Sequence, residues 1–199
     1  NLFENIYQAI PDGQTTGLSD TRTLSFSDPL FTSVGSVQVT LTIANGYNGD
    51  YYAYLVHDNA FAVLLNRVGR TAGNLFGYSD AGMSVTLSAE GEDIHSYQSF
   101  TLIPEGGTLT GIWAPDNRES DPLYAMDTDE RTTLLDSFVG ADPNGTWTLF
   151  LADVDFGQQG TLVQWGLVIT AIPEPSSWAL LMLGGIALGT RLLRRRGSQ

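Results

Sequence analysis

The sequence predicts an all-β fold: a jelly-roll β-sandwich of about eight antiparallel strands, followed by a C-terminal helix of the single transmembrane type. Short runs in which apolar and polar residues alternate recur along residues 1–170, as in half-buried strands. Clusters of Gly, Asn, Asp and Pro separate these runs, and no amphipathic helical repeat interrupts them. The composition changes at residue 172, so we divide the chain into a sandwich at 1–171 and a tail at 172–199.

Each predicted strand is a short run with turn residues on either side. The clearest is 36–44, in which four aliphatic side chains alternate with polar ones and therefore share one face of the strand. Two Asn-Gly steps follow it and indicate a tight turn. The strands predicted before the last two are residues 24–27, 36–44, 51–56, 60–65, 83–88, 99–103 and 108–113, and the mixed segment 1–10 is a possible edge strand.

The last two strands, 146–152 and 161–170, are predicted to form a closing hairpin. Alternation places a tryptophan and several aliphatic side chains on one face of each strand, namely Trp147, Leu149 and Leu151 in the first and Val163, Trp165, Leu167 and Ile169 in the second. Burial of residues of this size contributes about 1.5–3 kcal/mol each. A second layer must therefore cover that face. The acidic loop before the hairpin, 114–131, is long enough to indicate a functional or mobile segment.

The charge balance is strongly acidic, with a net charge of −13. All nine basic residues are arginines, and residues 1–172 hold 21 acidic residues and five arginines, a net charge of −16. Nucleic acid is excluded as a partner because phosphate contacts need a basic face. Two interpretations remain open: solubility outside the cell, or bound Ca²⁺ that offsets part of the repulsion. The chain has no cysteine, which excludes disulfides, thiolate zinc sites and a cysteine nucleophile.

The tail has three parts in a fixed order. Residues 172–196 read IPEPSSWALLMLGGIALGTRLLRRR: a Pro-Glu-Pro motif, an uncharged apolar segment, and a basic end. This order resembles the PEP-CTERM sorting signal of Gram-negative bacteria. The resemblance implies a Sec-exported protein that is held transiently in the inner membrane, processed by an exosortase, and released to the cell surface or exopolysaccharide matrix. The residues concerned are Pro173, Glu174 and Pro175 for processing, and Arg191, Arg194, Arg195 and Arg196 for the membrane stop. The chain begins at Asn1 without Met, so we expect a mature or trimmed form.

The body resembles the P domain (P/Homo B) that follows the catalytic domain of kexin-like and bacterial subtilases. The matching segments are Ile10-Pro11-Asp12, VQVTLTIANGYNGDYYAYLV at 37–56 and GTWTLFLADVDFGQQGTLVQWGLVIT at 145–170. Tyr51 departs from the family pattern, which commonly has Leu there. The resemblance implies an eight-stranded, non-catalytic jelly roll that often binds Ca²⁺.

Calcium is the one cofactor that we predict, and its candidate ligands are aspartates. Asp50 and Asp80 match acidic positions of the family in loops that can approach one another, and Asp153 and Asp155 form a close pair. Ca²⁺ takes six to eight oxygen ligands, and like charges this close attract a cation or raise a pKa. Solvated turn aspartates are the alternative interpretation of each residue.

No motif predicts catalysis. The two histidines, His57 and His95, make a Ser-His-Asp triad only if contacts are assumed, and His95 is expected at the surface. Trp113, in a polar setting, is a possible sugar-stacking platform, with core packing as the alternative. We therefore predict a non-catalytic surface or matrix protein with a structural, adhesive or recognition role and a possible polysaccharide partner. The alternatives are a carbohydrate-binding module, an accessory P domain of a secreted subtilase, or a hydrolase.

Overall fold

The computed structural model describes residues 1–29, 31–103 and 107–171, and these form two β-sheets. The strands are β1 (Leu2–Phe3), β2 (Gln8–Ala9), β3 (Gln14–Leu24), β4 (Val34–Tyr47), β5 (Tyr51–His57), β6 (Ala60–Asn66), β7 (Ala81–Asp93), β8 (Leu109–Ala114), β9 (Gly145–Asp153) and β10 (Thr161–Ala171). Short 3-10 helices span Asn48–Asp50, Ile94–Ser99 and Leu135–Phe138. The larger sheet has the order β1-β10-β4-β7-β8, with β2 also paired to β10, and the smaller sheet has the order β3-β9-β5-β6.

One hydrophobic core lies between the two sheets. Over Val37–Ile43 of β4 every second side chain is buried, as the alternating sequence predicts, and burial also alternates throughout β5. Leu41 and Trp165 from the larger sheet and Leu55 and Trp147 from the smaller sheet all belong to the same buried cluster. The all-β prediction is therefore confirmed, with the two sheets covering one another's apolar faces.

The predicted closing hairpin is wrong, although its burial pattern is largely confirmed. β9 lies between β3 and β5 in the smaller sheet, whereas β10 lies beside β4 in the larger sheet. The connection between β9 and β10 thus crosses from one sheet to the other. Trp147 and Trp165 are both fully buried. A register shift between Leu162 and Gln164 turns Leu162 inward and leaves Val163 half-buried.

Three further elements differ from the prediction. β8 pairs with β7 in a parallel ladder, so the strands are not all antiparallel. Residues 99–103 contain no strand, and the chain there leaves the 3-10 helix Ile94–Ser99. β3 occupies Gln14–Leu24, whereas the predicted strand was 24–27. The prediction missed most of β3 because Asp20 occupies a buried position at which an aliphatic residue would have indicated a strand.

Asp20 belongs to a polar contact that joins the two sheets. The indole N–H of Trp165 in β10 donates to Asp20 Oδ1 in β3 at 3.0 Å. Arg22 Nη2 donates to Asp20 Oδ2 at 2.8 Å, and its guanidinium lies 5.1 Å from the centre of the Phe3 ring. The buried carboxylate is therefore neutralised and hydrogen-bonded, as an interior charge requires.

The tail lies outside the described residues. Within the described ranges, no helix has both the length and the apolar character needed to cross a membrane. The predicted transmembrane-type helix belongs to 172–199 and is not covered by that finding. The sorting and membrane-stop residues, Pro173, Glu174, Pro175, Arg191, Arg194, Arg195 and Arg196, also lie outside the described residues.

Trp165→Phe tests the contact between the sheets. We expect the free energy of unfolding to fall by about 2 kcal/mol, because a buried hydrogen bond is lost and a small cavity is left. Urea denaturation measures it, with Thr23→Ala on the exposed side of β3 as the control, expected within about 0.5 kcal/mol of wild type. Equal stability of Trp165→Phe and wild type would show that the contact is dispensable.

Candidate functional site

Four aspartates converge at one end of the sandwich, which we call the acidic end: Asp12, Asp50, Asp153 and Asp155. Asp50 closes the 3-10 helix Asn48–Asp50 immediately before β5, and Asp153 ends β9. The register of these two neighbouring strands pairs Tyr51 with Asp153. Asp12 joins the group because its Oδ1 accepts a hydrogen bond from the backbone of Gly157, at 3.1 Å.

Arg67 forms hydrogen bonds and ion pairs with several segments of the acidic end. Its side chain is only 4% exposed, Nε donates to Gly49 O at 2.6 Å, and Nη2 donates to Asp155 Oδ2 at 3.0 Å. The same Nη2 lies 3.8 Å from Asp50 Oδ1, and the backbone N–H of Arg67 donates to Tyr51 O at 2.9 Å. Arg67, which directly follows β6, therefore joins the start of β5, the 3-10 helix and the connection between β9 and β10.

Arg67 does not neutralise the whole acidic end. Asp153 is fully buried, and neither of its carboxylate oxygens has a hydrogen-bond partner among the described residues. Burial, followed by the charges of Asp50 and Asp12, raises the pKa of Asp153 to about 7, although the nearby backbone N–H of Asp155 opposes the shift. Burial likewise raises the pKa of Asp50 to about 6, against the attraction of Arg67. Both groups are thus proton acceptors close to neutral pH.

Asp80, the remaining predicted calcium ligand, has other partners. Its loop does approach the 3-10 helix, since Asn48 N donates to Asp80 O at 2.9 Å. Its carboxylate, however, accepts hydrogen bonds from the Tyr97 hydroxyl at 2.8 Å and from Gln98 Nε2 at 2.6 Å. The structure therefore brings together Asp50, Asp153 and Asp155 and leaves Asp80 apart from them.

The acidic end fits a calcium ion poorly. Among the described residues, no group of three or more His, Cys, Asp or Glu side chains is arranged to hold a metal. Ca²⁺ takes six to eight oxygens, and the Arg67 guanidinium already lies within 4 Å of carboxylate oxygens of both Asp50 and Asp155. The calcium site stays a prediction from the sequence, which the geometry of the described residues does not favour.

A cleft of about 320 Å³ opens over the acidic end. Its walls carry four aromatic rings, and two of the aspartates line it as well; these six residues are Tyr47, Phe76, Tyr78, Phe156, Asp50 and Asp155. The rings of Phe76 and Phe156 are 74% and 81% exposed. The cleft was not predicted from the sequence. The available signal was a Phe-Gly pair in each of two polar loops, at Phe76-Gly77 and Phe156-Gly157.

The second polar cluster surrounds His95, and the surface position predicted for this residue is wrong. His95 is 1% exposed, with Nδ1 2.7 Å from Asp116 Oδ2 and Nε2 2.9 Å from Arg70 O. Arg118 donates to Asp116 Oδ1 at 3.1 Å and to Asp93 Oδ2 at 2.9 Å. Burial lowers the pKa of His95, but the hydrogen bond and charge of Asp116 outweigh it, so the pKa is raised.

His57 and Trp113 are also buried. His57 stacks on Trp147 with ring centres 3.9 Å apart, and its two nitrogens lie 2.9 Å from Thr146 O and 2.6 Å from Asp142 O. Both histidines therefore have both ring nitrogens engaged, and neither presents a free nitrogen to a substrate. Trp113 is 6% exposed and donates to Thr110 O at 3.0 Å, so it has no free face on which a sugar can stack.

The comparison with known protein families covers the tail. Residues 171–196 match the PEP-CTERM protein-sorting motif. This motif marks proteins that are exported through exosortase to the cell surface of Gram-negative bacteria, and the protein has that destination. The predicted sorting signal is confirmed, and exosortase processing at the membrane follows from it.

The body has weaker matches. No curated protein matches the chain. Two solved structures of the serine protease of Aeromonas sobria, one alone and one in complex with a chaperone, match at 16% identity with TM-scores of 0.47 and 0.45. They cover 86% and 85% of this chain but 26% of the matched chain in each case, so this chain spans about a quarter of their length. The P-domain resemblance stays a prediction.

The raised pKa values predict how stability depends on pH. A carboxyl group with a raised pKa binds its proton more tightly in the folded protein, so stability falls as pH rises from about 4 to just above 7 through the pKa values of Asp50 and Asp153. The raised pKa of His95 acts in the same direction, since stability is lost as pH rises through it. We expect a Tm at least about 3 °C higher at pH 5.5 than at pH 8.

Asp153→Asn is the matched variant for this measurement. It removes the buried charge, so its Tm is expected to exceed wild type at pH 8 and to change less between the two pH values. Asp136→Asn, at an exposed position, is the control and should follow the wild-type pH profile. A wild-type Tm that rises from pH 5.5 to pH 8 would contradict the assignment of buried, protonatable carboxylates.

Proposed function

We propose that the protein is a non-catalytic β-sandwich of the cell surface or exopolysaccharide matrix with a recognition, adhesive or structural role. The observation that supports it most is the sorting motif at 171–196, which follows the two-sheet part of the chain directly after β10. Such a domain offers loops and cleft walls to the outside while the core of the sandwich holds them in place. A jelly-roll P domain is the finer form of this proposal.

The surroundings of the histidines support a non-catalytic role. A general base needs a ring nitrogen within hydrogen-bond reach of the substrate proton. In both His57 and His95 the two ring nitrogens lie within 3 Å of protein oxygens. His95 with Asp116 and Arg118 is better explained as a buried ion-pair network that anchors the loop after β8.

Fractionation of a Gram-negative host that contains an exosortase tests this proposal. We expect the wild-type protein in the surface or matrix fraction, co-sedimenting with exopolysaccharide. The triple substitution of Pro173, Glu174 and Pro175 by Ala is expected to keep it in the inner membrane, because the exosortase no longer recognises it. A wild-type protein that is released to the medium without attachment to cells or polysaccharide would contradict the role.

Calcium is not required by the proposal. Because Arg67 already pairs with Asp155 and lies near Asp50, we expect EDTA and millimolar Ca²⁺ to change the Tm by less than about 1 °C. Differential scanning calorimetry measures this in wild type and Asp153→Asn. A Ca²⁺-dependent rise in Tm that Asp153→Asn abolishes would establish a calcium site at the acidic end.

A further inference from the structure

The cleft over the acidic end combines features that neither a metal site nor an ordinary surface groove has. Four aromatic residues line a space of about 320 Å³ together with Asp50 and Asp155. Phe76 and Phe156 are 74% and 81% exposed, and both line this one cleft. Neighbouring exposed apolar side chains of this kind commonly mark a binding groove, whereas single ones do not. Gly13 packs closely against the Phe156 ring, because a Cβ atom at position 13 would lie only 2.5 Å from Phe156 Cδ1.

The electrostatics of the cleft favour a cation. The Asp50 side chain is 6% exposed and belongs to the lining of the cleft. Its nearest cationic group, Arg67 Nη2, is 3.8 Å away and is directed to Asp155, at 3.0 Å. Asp12, Asp153 and Asp155 add negative charge near Asp50, against the single positive charge of Arg67. A buried carboxylate with one distant ionic partner retains capacity for a second cation.

The shape of the cleft selects among cations. A hard ion such as Ca²⁺ requires more oxygens than these walls supply. An ammonium group with alkyl substituents is attracted to the faces of aromatic rings and needs no oxygen cage. We propose that this cleft binds an organic ammonium group, with the rings of Phe76, Phe156, Tyr47 and Tyr78 around the alkyl part and Asp50 as the counter-charge.

The cleft is assembled before any ligand arrives. Gly77, with a φ of +75°, lies so close to Gly49 that a side chain at either position would collide with the other's backbone. Gly49 N donates to Tyr78 O at 2.8 Å, and Tyr78 N donates to Val68 O at 3.0 Å. Asn74 Nδ2 donates to Gly77 O at 2.7 Å. Rigid walls reduce the ordering cost of binding.

The surface location favours an amino sugar of the matrix as the source of the ammonium group. This choice of source rests on the proposed function, whereas binding of the ammonium group itself does not. Failure of the cleft to bind a cation would leave the fractionation result above unaffected, so the two proposals fail separately.

Titration of the full-length protein with choline, followed by NMR and calorimetry, tests the proposal. Choline is expected to bind at least about tenfold more tightly than 3,3-dimethylbutanol, its neutral isostere, because only choline pairs with Asp50. Glucosamine is expected to bind more tightly than N-acetylglucosamine, which lacks the charge. Nα-acetyl-lysine amide is the comparison ligand, and tighter binding of this compound than of glucosamine would overturn the amino-sugar source.

Three variants locate the site. Phe76→Leu and Asp50→Asn are each expected to weaken choline binding about three- to tenfold. Phe100→Leu, at another exposed phenylalanine that does not line the cleft, is the matched control and should bind like wild type. Three results would overturn the proposal. Choline and its neutral isostere would bind equally well, Phe76→Leu and Phe100→Leu would have equal affinity for choline, or the protein would bind Ca²⁺ but not choline. Circular dichroism confirms that each variant is folded.

Discussion

The guanidinium of Arg67 is the contact on which the acidic end depends. Four aspartates arrive there from separate parts of the chain, brought together by the register of β5 against β9 and by the turn after β2. Without a buried positive charge, repulsion among them would separate the loops that close this end of the sandwich. Arg67 satisfies a carbonyl, one carboxylate and part of a second at once, which a planar, multidentate donor does better than lysine.

Arg67 offers one positive charge to four aspartates, so the acidic end keeps an excess of negative charge beside the cleft. Burial of Asp153 without a hydrogen-bond partner is costly, and a domain optimised for stability alone would replace it with a neutral residue. Such costs persist mainly where the residues serve a function. The exposed Phe76 and Phe156 are a second departure, and they line a cleft with Asp50, whose charge acts on Asp153.

Alternation predicted the sandwich but not its connections. β4 was predictable because apolar and polar residues alternate over 37–43, and β5 because its apolar run lies between turn residues. The burial of Trp147 and Trp165 was predictable from their large apolar surface. β3 was not, since Asp20 faces inward and its partner Trp165 is 145 residues away. Sequence proximity of β9 and β10 suggested a hairpin, whereas the seven-residue connection 154–160 crosses from one sheet to the other. His95 was predicted at the surface because its partner Asp116 lies on another element.

The candidate site was predictable only in part, for the same reason. The spacing of Asp153 and Asp155 indicated local charge, but the role of Arg67 and the four aromatic walls depend on loops that approach only in the folded protein. Carbon-13 NMR of the aspartate side-chain carboxyls tests the buried charge most directly. If the acidic end is as described, Asp153 titrates near pH 7 and Asp50 near pH 6. Midpoints for both near the ordinary value of about 4 would contradict it.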